Sequence, residues 1–197
     1  MGIELAPNLS WSPHIGKITR KGSQSLGFLK RNIHSAKRPT KEAAYNAIVQ
    51  PTLEYCSSVW DPYPQKDIDK LENIQRQAAR FVTNTYDKTP GVVTNALKEL
   101  EWKTLQSRRT QSRLVLFHKM VHGHVDVNPS HFLTPYNRPS RHHHHLSYQI
   151  PTSSTDYFKF SFFPRTVILW NLLPSDVVRA ESIQGFRSAL ATTDLSP

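Results

Sequence analysis

The stretch from Thr40 to Trp60, TKEAAYNAIVQPTLEYCSSVW, constrains this chain more than any other. At helical spacing Ala44, Ile48, Pro51, Tyr55 and Val59 fall on one row, and Tyr45, Val49, Thr52, Cys56 and Trp60 on a second. The polar residues Asn46, Gln50, Glu54 and Ser57 take a third, narrower row. A helix apolar on two rows of three is buried on most sides, so the rest of the chain is expected to pack around it. Thr40 reads as its N-cap, and Glu42 sits in the first turn where the helix dipole favours an acid. Pro51 has no backbone donor and should kink this helix or split it in two. Cys56 reads as a small hydrophobe of that helix, and Glu54 as a structural acid held by an arginine.

Two flanking segments carry clear periods. From residue 12 to 33, Ile15, Ile18, Gly22, Leu26, Leu29 and Ile33 step by three or four. Ser12 is the expected cap and Pro13 the first helical residue. Lys17, Arg20, Lys21 and Arg31 project from the opposite side, with Lys30 beside them, and Phe28 lies on the basic side. Phe28 either stacks on a base or packs on a neighbouring helix, the commoner fate. From Asp67 onward, Leu71, Ile74, Ala78, Phe81 and Val82 form a second stripe, with Arg76 and Arg80 an i,i+4 pair on the far face. These two arginines either grip a nucleic-acid backbone or pair with Glu72 or Asp69. A short helix, Val92 to Leu100, follows the break at Thr89-Pro90-Gly91. The next helix, from about Thr104 to Val121, bears Arg108, Arg109, Arg113 and Lys119 and no acid, which makes it a second candidate basic surface.

Residues 122–156 lose all period and are rich in Pro, Ser, His and Asn, as a long loop or linker would be. The remaining residues, 157–197, hold aromatic pieces that need burial: Phe158, Phe160, Phe162 and Phe163, then a short helix with Val167, Ile168 and Trp170 stopped by Pro174. Ser182 is placed to cap a last helix lined by Ile183, Phe186 and Leu190. The expected organisation is mainly α: a strand end and turn at 1–11, a helical body at 12–121, the linker, and a C-terminal tail packing on the body.

Charge narrows the partner. From Ser12 to Lys41 there are eight Lys/Arg and no acid, and the whole chain carries a formal net charge of +10. A charged helix face is most often only solvated, but an uncompensated run of this length favours phosphate. The single cysteine excludes an internal disulfide and fits a reducing, intracellular compartment, nucleus or cytoplasm. No apolar run has membrane-spanning length, so no membrane partner is expected.

Four motifs together resemble one family. YNAIVQPTLEYCSSVWDPYPQKDIDKLENIQRQAARFV resembles the region just after the polymerase palm in non-LTR, LINE-type (jockey-like) retrotransposon reverse transcriptases. NLSWSPHIGKITRKGSQSLGFLKRNI is similar to that family's exit from the palm, and FSFFPRTVILWNLLPSDV and SIQGFRSAL to its C-terminal tail. The motifs run nearly end to end in the family's order. The resemblance implies a thumb-like helical body, detached from the polymerase palm that would be its partner. Met1 then falls within the family's last palm strand, and the chain reads as the C-terminal remnant of a longer polymerase.

The family's paired palm aspartates, which would hold two metal ions, are absent from the sequence. Asp67 and Asp69 form an Asp-x-Asp pair, but on a helix start. His142 to His145, with His122, His124 and His131, lack the spaced ligands of a structural zinc site and suggest adventitious metal binding only. No catalytic residue, metal site or cofactor is assigned. The expectation is a non-catalytic fragment of an RNA-directed DNA polymerase, binding the backbone of an RNA–DNA hybrid or DNA duplex without reading sequence. The competing reading is a helical protein-interaction module or a functionless transposon relic.

Overall fold

The computed structural model describes residues 2–87, 89–136 and 144–193. The chain is mainly helical, as its periodicity predicts; among the described residues the β-structure is one isolated antiparallel bridge, between Pro135 and Tyr148. The chain divides into two compact units, Met1–Arg109 and Thr110–Pro197. The division falls inside a helix rather than at residue 121, where the loss of period had placed it.

In the first unit, α1 (Ser12–Asn32) buries Ile15, Ile18, Gly22, Leu26 and Leu29, the predicted stripe. Its N-cap is Trp11, because the hydroxyl of Ser12 instead donates to Asp67 Oδ2 at 2.5 Å. Asp67 lies in the first turn of α5 (Gln65–Thr83). At the other ends of the two helices Lys30 lies near enough to Arg80 to feel its charge. Helices α1 and α5 therefore run side by side in the same direction, with their dipoles aligned. That arrangement is unfavourable alone, and an acid at the paired N-termini with cations at the paired C-termini offsets it. Burial raises the Asp67 pKa, but the bonds from Lys70 (2.8 Å) and Ser12 outweigh it and leave the carboxyl below its usual value.

The stretch expected to be one buried helix, kinked or split in two at Pro51, is four short pieces. Helix α2 (Arg38–Ala44) starts three residues early, capped at Lys37 rather than Thr40, because Pro39 takes its first turn. A π-helical turn covers Tyr45–Val49, then come α3 (Gln50–Glu54) and α4 (Ser57–Trp60). The π turn ends where Pro51 cannot donate to the preceding turn and its ring needs room, so the wider spiral absorbs the misfit. Cys56 then turns left-handed, with φ 53°, and is exposed rather than a core hydrophobe. One of the two apolar rows is buried: Tyr45, Val49, Thr52 and Trp60. The other is not: Ile48, Tyr55 and Val59 are exposed, Val59 at 55%.

The unit closes with α6 (Val92–Glu99) and the start of α7 (Leu105–Val121). Glu72 caps α7 across 33 residues, accepting from the backbone N–H of Leu105 (3.3 Å) and Gln106 (2.8 Å). Trp102 stacks on Tyr45 with centroids 4.4 Å apart, and its Nε1 donates to Glu42 at 3.0 Å.

In the second unit, α9 (Phe162–Asn171) and α11 (Ile183–Thr192) pack their aromatic residues with the part of α7 beyond Arg109. The short helix α8 (Asp156–Lys159) precedes α9, and α10 (Ser175–Val178) connects α9 to α11. Trp170 and Phe186 are buried with Leu114 and Phe117, and Ser182 caps α11 as predicted, accepting from Gly185 N–H at 2.9 Å. Phe158 is exposed, so not all of the tail's aromatic surface is covered. Part of the segment read as a linker belongs to this core: Leu133, His144 and Tyr148 are buried. The Asn171 amide clamps both backbone groups of Tyr148, at 3.1 and 2.7 Å.

Candidate nucleic-acid interface

The first unit separates its charges. Glu54 accepts two bonds from Arg108, and Asp61 accepts one from Arg109 at 2.8 Å. Glu99 holds Arg38. With Glu42, Asp67 and Glu72 engaged as described, most of the unit's acids face other groups of the same unit. The cations that lack a carboxylate within 4.0 Å, among the described residues, include Arg20, Lys21, Arg31 and Arg76, all exposed.

Helix α1 carries most of these. Lys17, Arg20, Lys21 and Arg31 lie opposite the buried stripe, over 14 residues or about 21 Å of helix. Lys17 meets Glu4 at 3.4 Å, but both side chains are more than half exposed, and such pairs add little. Lys30 is half-buried at the seam with α5; burial lowers its pKa and the charge of Arg80 lowers it further. Arg76 and Arg80 pair with neither acid on their own helix. Glu72 is occupied by α7, and Asp69 takes the amide of Gln65 at 2.9 Å. The seam and the outer face of α1 thus form one basic area, built from α1 and α5.

Helix α7 does not present the second basic face read from the sequence. Arg109 is fully buried and ion-paired to Asp61, Arg113 is 3% exposed, and Arg108 is held by Glu54 in the role foreseen for that acid. The bond to Glu54 raises the Arg108 pKa against the opposing effect of burial. Arg108 and Arg109 tie α7 to Glu54 and Asp61, Arg113 is buried, and none of the three presents an exposed guanidinium to a phosphate. Lys41, counted in the basic run, is also buried; its ammonium donates to Asn84 Oδ1 at 2.6 Å and lies over the Phe81 ring.

Phe28 is 54% exposed within the basic face, so within this chain it does not take the packed position expected for such a residue. Asp67 and Asp69 are engaged as ordinary helix-end acids. Among the described residues no group of three or more His, Cys, Asp or Glu is placed to hold a metal ion. His142 and His143 lie outside the described residues.

The histidines instead do something the sequence reading missed. His118, His122 and His124 aim Nε2 at the carbonyls of Ala180 (2.7 Å), Val178 (3.0 Å) and Glu181 (3.1 Å), across the turn between α10 and α11. The rings of His118 and His122 stack at 4.2 Å, and His118 also stacks on Phe186 at 4.2 Å. The i,i+4 spacing of His118 and His122 was a signal that both would face one neighbour.

Among the described residues no helix is long and apolar enough to cross a membrane. Comparison with known proteins finds no match to this chain, neither a family model nor a curated protein nor a solved structure.

Proposed function

We propose that this chain is a non-catalytic, thumb-like portion of a LINE-type RNA-directed DNA polymerase, and that it binds the backbone of a template–primer duplex without reading sequence. The observation that carries this reading is the outer face of α1, where Arg20, Lys21 and Arg31 stand exposed with no acid beside them. Mid-helix cations such as Arg20 and Lys21 serve no helix dipole, whereas Lys30 and Arg80 at helix ends do so in part. The resemblance of four motifs to post-palm segments of those polymerases supplies the polymerase part of the proposal.

The test is binding to an RNA–DNA hybrid across a salt series. Neutralising about five phosphates gives a slope of log K against log salt of roughly −4 to −5 on a B-form duplex. Reversing Arg20, Lys21 and Arg31 to Glu together should flatten the slope by about three phosphates' worth and leave the helical circular dichroism unchanged. Affinity that ignores salt removes the proposal.

One observation favours the protein-interaction reading: the exposed apolar row Ile48, Tyr55 and Val59, which has no Lys or Arg near it in sequence. A folded chain with no affinity for either hybrid or DNA duplex would leave that reading standing.

A further inference from the structure

The basic face of α1 is not uniformly polar. Phe28 stands on it at 54% exposure, and its neighbours on the helix surface are Lys21, Gln24, Arg31 and Asn32. The other exposed apolar side chains of α2–α4, Ile48, Tyr55 and Val59, lie in a stretch, residues 42–65, that contains no Lys or Arg. An uncharged apolar partner is suited by that second surface. The face around Phe28 instead offers a flat ring among cations.

Anionic polymers with flat faces match this combination, and in a duplex those faces are already stacked on one another. A ring held on a helix gains a partner only where nucleotides are unpaired. Arg31 stands about 4.5 Å further along the helix and Lys21 about 10.5 Å back, so phosphates on either side of one stacked base fall within reach of a cation. We infer that α1 binds unpaired nucleotides next to a duplex, with Phe28 stacked on a base and Lys21 and Arg31 on the flanking phosphates. This rests on the proposed nucleic-acid function and adds to it a preference for a junction over a blunt duplex.

The experiment compares a blunt RNA–DNA hybrid with the same hybrid extended by a short single-stranded oligothymidine tail. Wild-type chain binds the tailed form more tightly. Phe28→Ala lowers affinity for the tailed form by between about 5-fold and 150-fold, the range one base–aromatic stack spans, and leaves the blunt form and its salt slope unchanged. Phe28→Trp keeps the preference, and the added indole is quenched on binding relative to wild type. Phe28→Leu behaves like Phe28→Ala. Because the side chain is exposed, none of these changes disturbs the core, and circular dichroism checks it.

Equal affinity for tailed and blunt forms overturns the inference and spares the proposed function. So does a Phe28→Leu variant that binds like wild type, since that is apolar contact without stacking. A chain that binds neither form overturns both.

Discussion

In residues 2–109 four carboxylates each close a distance in sequence: Asp67 to Ser12, Glu72 to the start of α7, Glu54 to Arg108, Asp61 to Arg109. In residues 110–193 several of the equivalent ties run from imidazole or amide side chains to the backbone. Imidazoles bond backbone carbonyls of Val178, of the turn after α10 and of Trp170, and the Asn171 amide bonds the backbone of Tyr148, around a core of aromatic rings. The difference has two consequences. The first unit uses its acids inside and is left with cations outside, which is where its basic face comes from. The second unit ties α10 and the turn after it with imidazoles and depends on the protonation state of His118.

The largest effect separating the two follows from Asp61. Arg109 is fully buried, and Asp61 Oδ1 is within 2.8 Å of its Nε. Asp61→Ala leaves a buried guanidinium without that carboxylate and should cost about 3–5 kcal/mol. Replacing both residues with apolar ones of similar size should recover most of that loss. With two units a single unfolding midpoint is ill-defined, so the measurement is urea unfolding followed by residue-resolved NMR. The loss is expected in residues 2–109. An equal loss reported by Trp170 would break the comparison.

Acid should reveal the other side. Burial lowers the His118 pKa from 6.5, His122 and His124 lower it further, and the bond to Ala180 only partly opposes them. Its Nδ1 is buried with no partner, so a proton added there meets no acceptor. A group that resists protonation when folded stabilises the fold fully above its unfolded value; that stability drains away as pH falls below 6.5 through the folded value. His14 in the first unit behaves likewise: burial lowers it, Lys17 adds to this, and Glu4 partly opposes it. His118→Phe keeps the stack on Phe186 and abolishes the titration. It should cost about 1–3 kcal/mol at neutral pH for the lost bond to Ala180, yet flatten the acid dependence of residues 110–193 alone. The check is the urea midpoint of each unit from about pH 8 to about pH 5, where histidine titrates. An unchanged acid dependence in His118→Phe would move the sensitivity elsewhere.

These contrasts mark what the sequence made legible. The stripes of α1 and α5 are readable because period is local. Of the three caps read from the sequence, Ser182 holds, whereas the Ser12 hydroxyl is taken by Asp67 and Thr40 lies inside a helix capped at Lys37. The four-piece course of residues 38–60 is not readable, since Pro51 announces a misfit without saying whether a kink, a π turn or a left-handed residue will absorb it. The basic residues of α7 misled for another reason. A charged helix looks exposed until its partner is known, and Asp61 lies 48 residues from Arg109, Glu54 54 from Arg108. Tyr148 reads as linker because its partner is the side chain of Asn171, which leaves no period. On α1, where no carboxylate comes near Arg20, Lys21 or Arg31, the local reading and the folded surface agree.

The smallest effect tests the packing that lets the first unit place α1 at all. Gly22 lies on the buried stripe, and a methyl group there would stand 2.8 Å from Cδ2 and 3.4 Å from Cγ of Leu53 on α3, with Ile74 of α5 at 3.7 Å. Alanine in a helix gains about 1 kcal/mol over glycine. Overpacking a buried contact costs about 1–3 kcal/mol. Leu53 is fully buried and has little room to turn aside, so the second term should win. Gly22→Ala is therefore expected to lower the stability of residues 2–109 by about 1 kcal/mol and to leave residues 110–193 as they were. A rise in stability would mean that Leu53 yields. The α1–α3 contact would then be looser than an aliphatic, glycine-spaced core requires, and the rigid mounting of the basic face would have to come from the carboxylate ties alone.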